Sequence, residues 1–287
     1  MNHADRKTPE KSCFCRLIRN LPMGPEISCL EFAWDGPAPR GGQFFLVRPL
    51  RSGVFLGRPL SAAGWTPAPG DTPENRRRIR EKAQGPGRPG TVDLIRFLLV
   101  RRGKGTGELS ALGAGEPAEL TGPLGNAWGD FLFPQREPIA LIGGGIGIAP
   151  LLAFAGELSG RRFDFYAGFR TLRGGEERER LLAPVWPRAR EIVIATEDGT
   201  AGRKGRIPDL LDPAKYAAVY ACGPESMLRI VAASARKAGV PCFVSLERPM
   251  ACGVGACLGC TVRTTRGNQR CCTDGPIFNA EELCFDA

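Results

Sequence analysis

From residue 138 onward the sequence alternates two kinds of segment, and few folds accept that alternation. "PIALIG", "RFDFYAG", "REIVIAT", "YAAVYAC" and "PCFVSLE" are continuous apolar runs of strand length. Strands read this way when helices cover both faces of a parallel sheet. Between them lie "PLLAFAGELS", "EERERLL", "RIPDLL" and "ESMLRIVAASARKAG". The last places Met227, Ile230, Val231 and Ala235 on one helical stripe that stops at Gly239. Strand and helix in turn predict a doubly wound parallel α/β sheet.

Residues 13 to 135 have a different character. "ISCLEFAW", "GQFFLVRP", "RFLLVRRG" and "EPAELTGPLG" are short apolar runs punctuated by Gly and Pro, which predicts an antiparallel β-barrel or sandwich without a legible amphipathic helix. The stretch at about 67–93 is dense in Pro, Gly and charge and is expected to be an exposed insertion. Its basic run, 76–82, adds to a net charge of +9. Without interleaved aromatics that run reads as solvated surface, not as a nucleic-acid site. From 248 a Gly- and Cys-rich tail begins, too short to fold without a staple. The expected organisation is therefore α+β and multidomain, with units at 1–136, 137–247 and 248–287.

No apolar run reaches 18 residues, and the first residues are polar without a hydrophobic core segment, so the chain reads as cytoplasmic with no membrane span. Thiols stay reduced there, and clustered cysteines then argue for metal. The chain has 11 cysteines and one histidine, His3. That composition excludes His-based triads, His general bases and His-rich metal sites.

"LIGGGIGIAPLL" at 141–152 runs a buried strand into Gly143, Gly144, Gly145 and Gly147, then opens a helix at Ala149 and Pro150. Glycines let backbone approach a ligand closely, and the helix N-terminus offers free amides to a pyrophosphate. "YACGPESM" puts Cys222, Gly223 and Pro224 at the carboxyl end of a parallel strand, where open α/β sheets bind ligands. In the barrel half, Arg58, Pro59, Leu60 and Ser61 can meet a phosphate and a heterocycle. Gly103, Gly105 and Thr106 can present amides and a hydroxyl to another phosphate. These two segments, placed before a nucleotide domain, suggest a second nucleotide site.

In "RPMACGVGACLGC", Cys252, Cys257 and Cys260 are spaced C-x4-C-x2-C, the plant-type spacing for a 2Fe–2S cluster. A structural zinc site usually takes two C-x2-C pairs, and only one is present. A zinc-stapled binding module is thus the weaker reading. The fourth ligand is Cys271 or Cys272, and spacing alone does not choose.

The order of these motifs, with "GPLGN", "CGPESM", "SLERPMACGVGACLGC", "ATEDGTAGRKGRIPDLL" and "CTDGPIF", resembles the electron-transfer subunit of class 1B dihydroorotate dehydrogenase, a branch of the ferredoxin-reductase superfamily. The resemblance implies FAD, a 2Fe–2S cluster and NAD(H), with NADH as the donor. It implies an FMN-containing catalytic partner in pyrimidine biosynthesis, in a heterotetramer of two chains of each kind. It selects Cys272, because the last ligand in that family directly precedes x-D-G-P. It places Arg58 to Ser61, Gly105 and Thr106 against FAD, Ser61 near the flavin N5, and Cys222 to Pro224 beside the nicotinamide. Leu98, Leu99 and Val100 stand where the family usually carries Tyr-Arg, so the flavin loses an aromatic and a charged contact unless Arg101 or Arg102 substitutes. Arg170 could favour NADPH. A sulfide dehydrogenase or NADPH:ferredoxin oxidoreductase subunit is the neighbouring alternative, although its cluster loops commonly read M-C-G-x-C.

Overall fold

Six strands close the first half into an antiparallel barrel in the computed structural model, which describes residues 11–24, 27–50, 53–67, 93–132, 138–173 and 175–285. They are β1 (Lys11–Pro22), β2 (Ile27–Trp34), β3 (Phe44–Pro49), β4 (Arg58–Thr66), β5 (Asp93–Val100) and β6 (Pro117–Leu124), ordered β1-β2-β5-β4-β3-β6. Along β6 exposure alternates residue by residue, as one inward and one outward face require. The interior is aromatic: Phe45 meets Trp34 edge-on at 5.0 Å and Phe97 at 5.5 Å. Gly122 is forced by this packing, since a Cβ there would sit 2.5 Å from the Phe45 ring. One charge is buried in the barrel wall: Glu31, 2% exposed, is paired with Arg19 at 2.6 Å and Arg96 at 2.8 Å. The insertion expected at about 67–93, apart from its two end residues, lies outside the described residues, as do its basic run and His3.

The barrel half also holds a helix that its sequence pattern does not announce, α1 (Lys104–Ser110). Only Gly105 and Leu109 of its seven residues are buried, which is too few to print a helical period.

The second half is the parallel sheet. Strands β7 (Ile139–Gly144), β8 (Phe163–Phe169), β9 (Glu191–Thr196), β10 (Arg203–Lys204), β11 (Val219–Cys222) and β12 (Cys242–Ser245) order as β10-β9-β8-β7-β11-β12. Every residue of β7 and β8 is buried, the mark of strands covered on both faces. Helices α2 (Ile148–Glu157), α3 (Glu176–Leu182) and α4 (Glu225–Ala238) follow β7, β8 and β11. α4 buries Met227, Leu228, Val231, Ala232 and Ala235 and stops at Gly239, whose φ of 68° caps the last carbonyls as expected. Among the described residues no helix is long and apolar enough to cross a membrane.

The tail is stitched to both halves. β13 (Thr261–Thr264) and β14 (Gly267–Arg270) form a hairpin, and β15 (Ile277–Asn279) joins the parallel sheet antiparallel to β12. Asn126, just after β6, ties the tail to the barrel. Its amide nitrogen donates to the carbonyls of Asp274 at 3.2 Å and Ile277 at 2.8 Å, and its oxygen accepts from Ile277 N–H at 3.0 Å. At about 1 kcal/mol per bond, Asn126→Ala should cost roughly 2–3 kcal/mol in chemical denaturation. Asn126→Asp should cost at least as much, because an acceptor then faces two carbonyls. Wild-type stability in both variants would show that this junction holds nothing.

Candidate functional site

A cleft of about 430 Å³ opens between barrel and sheet, within the range of small-ligand pockets. β4 contributes Pro59, Leu60 and Ser61, and β5 contributes Leu98, Leu99 and Val100. The turn after β7 contributes Ile146 and Gly147, the first turn of α2 contributes Ala149 and Pro150, and β11 ends in it at Cys222. Sequence-expected positions from four separate segments thus meet on one wall or another. Thr106 also lines the cleft. Its hydroxyl, however, is engaged with its own turn, accepting from the N–H groups of Arg102 at 2.9 Å and Gly103 at 3.0 Å. Arg58, Gly105, Gly143, Gly144, Gly145, Gly223 and Pro224 are not among the lining residues and stand behind or beside that wall.

Two features test whether a flavin fits. Arg58 donates from Nη2 to the Leu56 carbonyl at 2.9 Å, while its buried Nε has no hydrogen-bond partner among the described residues. Gly105 leaves the room for that guanidinium, since a Cβ there would lie 3.1 Å from Arg58 Cζ and Nε. A buried, charged donor left unsatisfied at a cleft edge fits an anionic group of a dinucleotide. Arg102 lines the cleft, whereas Arg101 borders a neighbouring open groove with Gly103 and Lys104. Of the two arginines, Arg102 alone reaches the cleft, and it borders the neighbouring groove as well.

The glycine turn is explained by crowding. A Cβ on Gly143 would meet Ile148 at 2.7 Å, one on Gly144 would meet Met227 Sδ at 2.7 Å, and one on Gly147 would meet the Cys222 carbonyl at 2.4 Å. Gly145 has φ 56° and no atom within 4 Å of a built Cβ. The turn delivers the start of α2 to the cleft, and no side chain caps that helix N-terminus. Of its first-turn amides, Ile148 N–H is already bonded to the Gly145 and Ile146 carbonyls and Pro150 has none, which leaves Ala149 N–H to meet a ligand.

Sequence reading quoted residues 245–250 only as the start of the cluster motif and assigned them no place in the cleft, whose far wall they form. Ser245 and Glu247 both act on the Cys222 thiol. Burial pushes that thiol up to about 12, the Glu247 carboxylate adds to the rise, and the Ser245 hydroxyl opposes it. Cys222 therefore stays protonated near neutrality, and as a small apolar floor it is no nucleophile. Burial also raises Glu247, with Arg102 opposing. The wall is braced against α4: Arg248 and Arg229 each bind Glu225, at 2.8 and 3.0 Å, and hold that carboxyl below its usual range. Arg170, at the end of β8, is exposed and lies outside the cleft.

From Met250, on the cleft wall, the chain passes through Ala251 directly into the cysteine loop. The thiols meet in two pairs, Cys252 with Cys257 and Cys260 with Cys272. Among the described residues no three Cys, His, Asp or Glu side chains converge as ligands of a single metal ion. Two pairs match the donor set of a two-iron cluster, which takes four cysteine thiolates. Backbone amides already face these sulfurs: Gly255 N–H donates to Cys272 Sγ at 3.2 Å and Cys257 N–H to Cys252 Sγ at 3.4 Å. Burial raises Cys252, but amides of Cys257, Val254 and Ala256 outweigh it and bring the thiol down to about 7. Gly253 and Gly255, at φ 70° and 76°, give the loop the curvature that aims those amides. Cys271 contributes its N–H to the Cys260 carbonyl at 3.0 Å, and its side chain is fully buried in the apolar core.

Comparison with known proteins agrees with this geometry. Residues 247–284 match the iron-sulfur cluster binding domain of dihydroorotate dehydrogenase B. The electron transfer subunit of dihydroorotate dehydrogenase B (NAD(+)) from Caldanaerobacter subterraneus subsp. tengcongensis is 34% identical over 94% of this chain and 97% of its own. The subunit of the same name from Clostridium acetobutylicum is 35% identical over 86% of this chain and 87% of its own. Among solved structures, the NADH-dependent reduced ferredoxin-NADP oxidoreductase superposes with a TM-score of 0.72 at 26% identity, covering 95% of this chain and 90% of that one. The cytochrome b5 reductase domain of Ulva prolifera nitrate reductase, at 17% identity and a TM-score of 0.57, covers 82% of this chain and 96% of its own and shares the fold alone.

Proposed function

The chain belongs to the family of electron transfer subunits of dihydroorotate dehydrogenase B, and from that premise we propose that its cleft and its cysteine loop form one continuous electron path to a catalytic partner. The chain is an NAD-linked flavin and iron-sulfur oxidoreductase subunit and does not itself hold the dihydroorotate site. FAD supplies acceptance of a two-electron hydride with one-electron release, and the 2Fe–2S cluster supplies single-electron carriage. The observation that carries the reading is covalent: residues 245–250 wall the cleft, and the first cluster cysteine follows at 252.

Each set of residues then has a task. Arg58, Gly105 and Thr106 hold the flavin's phosphate side, while Pro59 to Ser61 and Leu98 to Val100 pack its ring. Ser61 on one wall and Cys222 on the other bring the hydride donor and acceptor face to face. The turn Gly143 to Gly147, with Gly223 and Pro224, binds the dinucleotide of NADH at the start of α2. Cys252, Cys257, Cys260 and Cys272 hold the cluster, and amides facing their sulfurs tune its potential. The organisation we assign is a flavin unit at 1–136, a dinucleotide unit at 137–247 and a cluster unit at 248–287. Two such chains join two FMN-containing catalytic subunits that interconvert dihydroorotate and orotate. The relatives that carry this family name share more of the sequence than the ferredoxin-linked oxidoreductase does, which favours the dihydroorotate reading over that alternative.

The test is anaerobic mixing of the flavin- and cluster-loaded chain with NADH, then with the dihydroorotate-oxidising subunit. Visible bleaching on the first addition and recovery on the second, with orotate as the terminal oxidant, are expected. Bleaching by NADH without recovery would show that the electrons have a different destination.

A further inference from the structure

The turn that brings Cys272 to Cys260 is built around a cation, Arg270. β14 ends at Arg270, which pairs across the hairpin with Thr261, the residue after Cys260, and Cys272 follows two positions on. The Arg270 carbonyl accepts from the N–H groups of Thr273 at 3.2 Å, Asp274 at 2.8 Å and Gly275 at 3.2 Å, which folds the chain back around Cys271 and Cys272. The side-chain stem lies against the other part of the cysteine loop. A Cβ on Gly255 would stand 3.7 Å from Arg270 Cδ, and Gly255 is the residue whose amide faces Cys272 Sγ.

The guanidinium is held in place and not left to solvent. Its side chain is 18% exposed. The Asp274 carboxylate accepts from Arg270 Nε at 3.0 Å, from Nη2 at 3.4 Å and from the Arg270 backbone N–H at 2.8 Å. That grip fixes where the positive charge sits. The guanidinium also feels the Cys272 and Cys260 thiols through charge. Closing the turn takes only the backbone N–H and carbonyl, which any residue but proline offers. The long cationic side chain, packed against the sulfur-bearing loop, is what those bonds leave unexplained.

We propose that Arg270, held by Asp274, raises the reduction potential of the group bound by Cys252, Cys257, Cys260 and Cys272 and so makes it a readier electron acceptor. This rests on the reading that those four thiolates hold a 2Fe–2S cluster. Four thiolates around two irons carry net negative charge, and an added electron deepens it. A fixed guanidinium favours the more negative state, and partial burial keeps solvent from screening it. Asp274 acts in the opposite sense. Without Arg270 its carboxylate would stand uncompensated on the turn that carries Cys272. The pair therefore works with a sign: loss of the cation makes reduction harder, and loss of the anion makes it easier. A raised potential suits a carrier that draws single electrons from a reduced flavin.

The full-length chain, loaded with flavin and cluster and carrying Arg270→Gln, Arg270→Lys or Asp274→Asn, tests this in a mediated dithionite titration. The readout is the midpoint at which the paramagnetic signal of the reduced cluster appears. Arg270→Gln is expected to keep its iron and labile sulfide and to shift the midpoint to more negative potential. About tenfold in the one-electron equilibrium, or about 59 mV, is the size expected. Arg270→Lys should stay close to wild type, because the charge remains. Asp274→Asn keeps an oxygen for the Arg270 N–H and should shift the midpoint the other way. A residue that only shaped the turn would not give shifts of opposite sign. A wild-type midpoint in Arg270→Gln overturns the proposal, and so do shifts of the same sign in Arg270→Gln and Asp274→Asn. Loss of iron from Arg270→Gln also overturns it, because the side chain would then be part of the turn's frame. A wild-type chain without iron and labile sulfide sinks the ligand reading itself.

Discussion

Replacing Cys272 with serine is expected to strip the chain of its cluster, whereas Cys271→Ser should leave the cluster in place. The two residues are adjacent, and burial first of all pushes both thiols up to about 12, so acidity does not separate them. Geometry does. Cys272 Sγ already accepts the Gly255 amide and pairs with Cys260, so it faces the other ligand-bearing loop. Cys271 donates its N–H to the Cys260 carbonyl, and its fully buried thiol feels Cys260 and Cys272 through charge but shares no thiol hydrogen bond with either. A four-thiolate cluster does not tolerate the loss of one ligand to a neutral hydroxyl. Iron and acid-labile sulfide in Cys272→Ser should fall from about two of each per chain to a small remainder. The paramagnetic signal after dithionite should vanish with them. In Cys271→Ser the assay should stay near the wild-type value, with roughly 1–3 kcal/mol of stability lost because a hydroxyl replaces a thiol among apolar groups. The opposite pattern would move the fourth ligand to Cys271 and require the turn at 271–274 to be rebuilt around it.

The elements that sequence revealed are those whose chemistry repeats or is punctuated. Helix α4 could be bounded to its capping Gly239, and the barrel and the parallel sheet were both legible from hydrophobic period, because each strand's burial is written in its own residues. The cysteine spacing singled out Cys252, Cys257 and Cys260 in the same local way and left the fourth position open between Cys271 and Cys272. What stayed hidden depends on partners distant in sequence. Asn126 is an ordinary polar residue until the tail returns to it from 148 residues away. Ser245 and Glu247 matter only because β12 places them against Cys222. Helix α1 was missed because two glycines and one buried leucine give no period. Thr106 lines the cleft as its motif suggested, but that its hydroxyl also accepts two backbone N–H groups of its own turn is written in no residue pattern.

The glycine turn after β7 offers the second large effect, because two of its members are glycine for different reasons. Gly147 has φ −61° and ψ −9°, a conformation open to any residue, so backbone freedom does not require glycine there. Space does: a Cβ would stand 2.4 Å from the Cys222 carbonyl and 2.7 Å from Gly223 Cα, both backbone atoms that cannot rotate away. Gly147→Ala must therefore push the turn off β11 and open the floor of the cleft. A cost of about 2–4 kcal/mol is expected, together with at least a tenfold loss of NADH affinity. Gly145 is the reverse case. Its φ of 56° penalises an L-residue by about 1–2 kcal/mol, yet the added methyl would meet nothing within 4 Å. Gly145→Ala should then fold close to normally and lose dinucleotide affinity, because the strained turn no longer holds the start of α2 in its place beside the cleft. Denaturation and NADH titration on the two variants separate these effects. Wild-type stability in Gly147→Ala would show that the β7–β11 contact relaxes freely. Unchanged NADH affinity in Gly145→Ala would move the dinucleotide away from this turn.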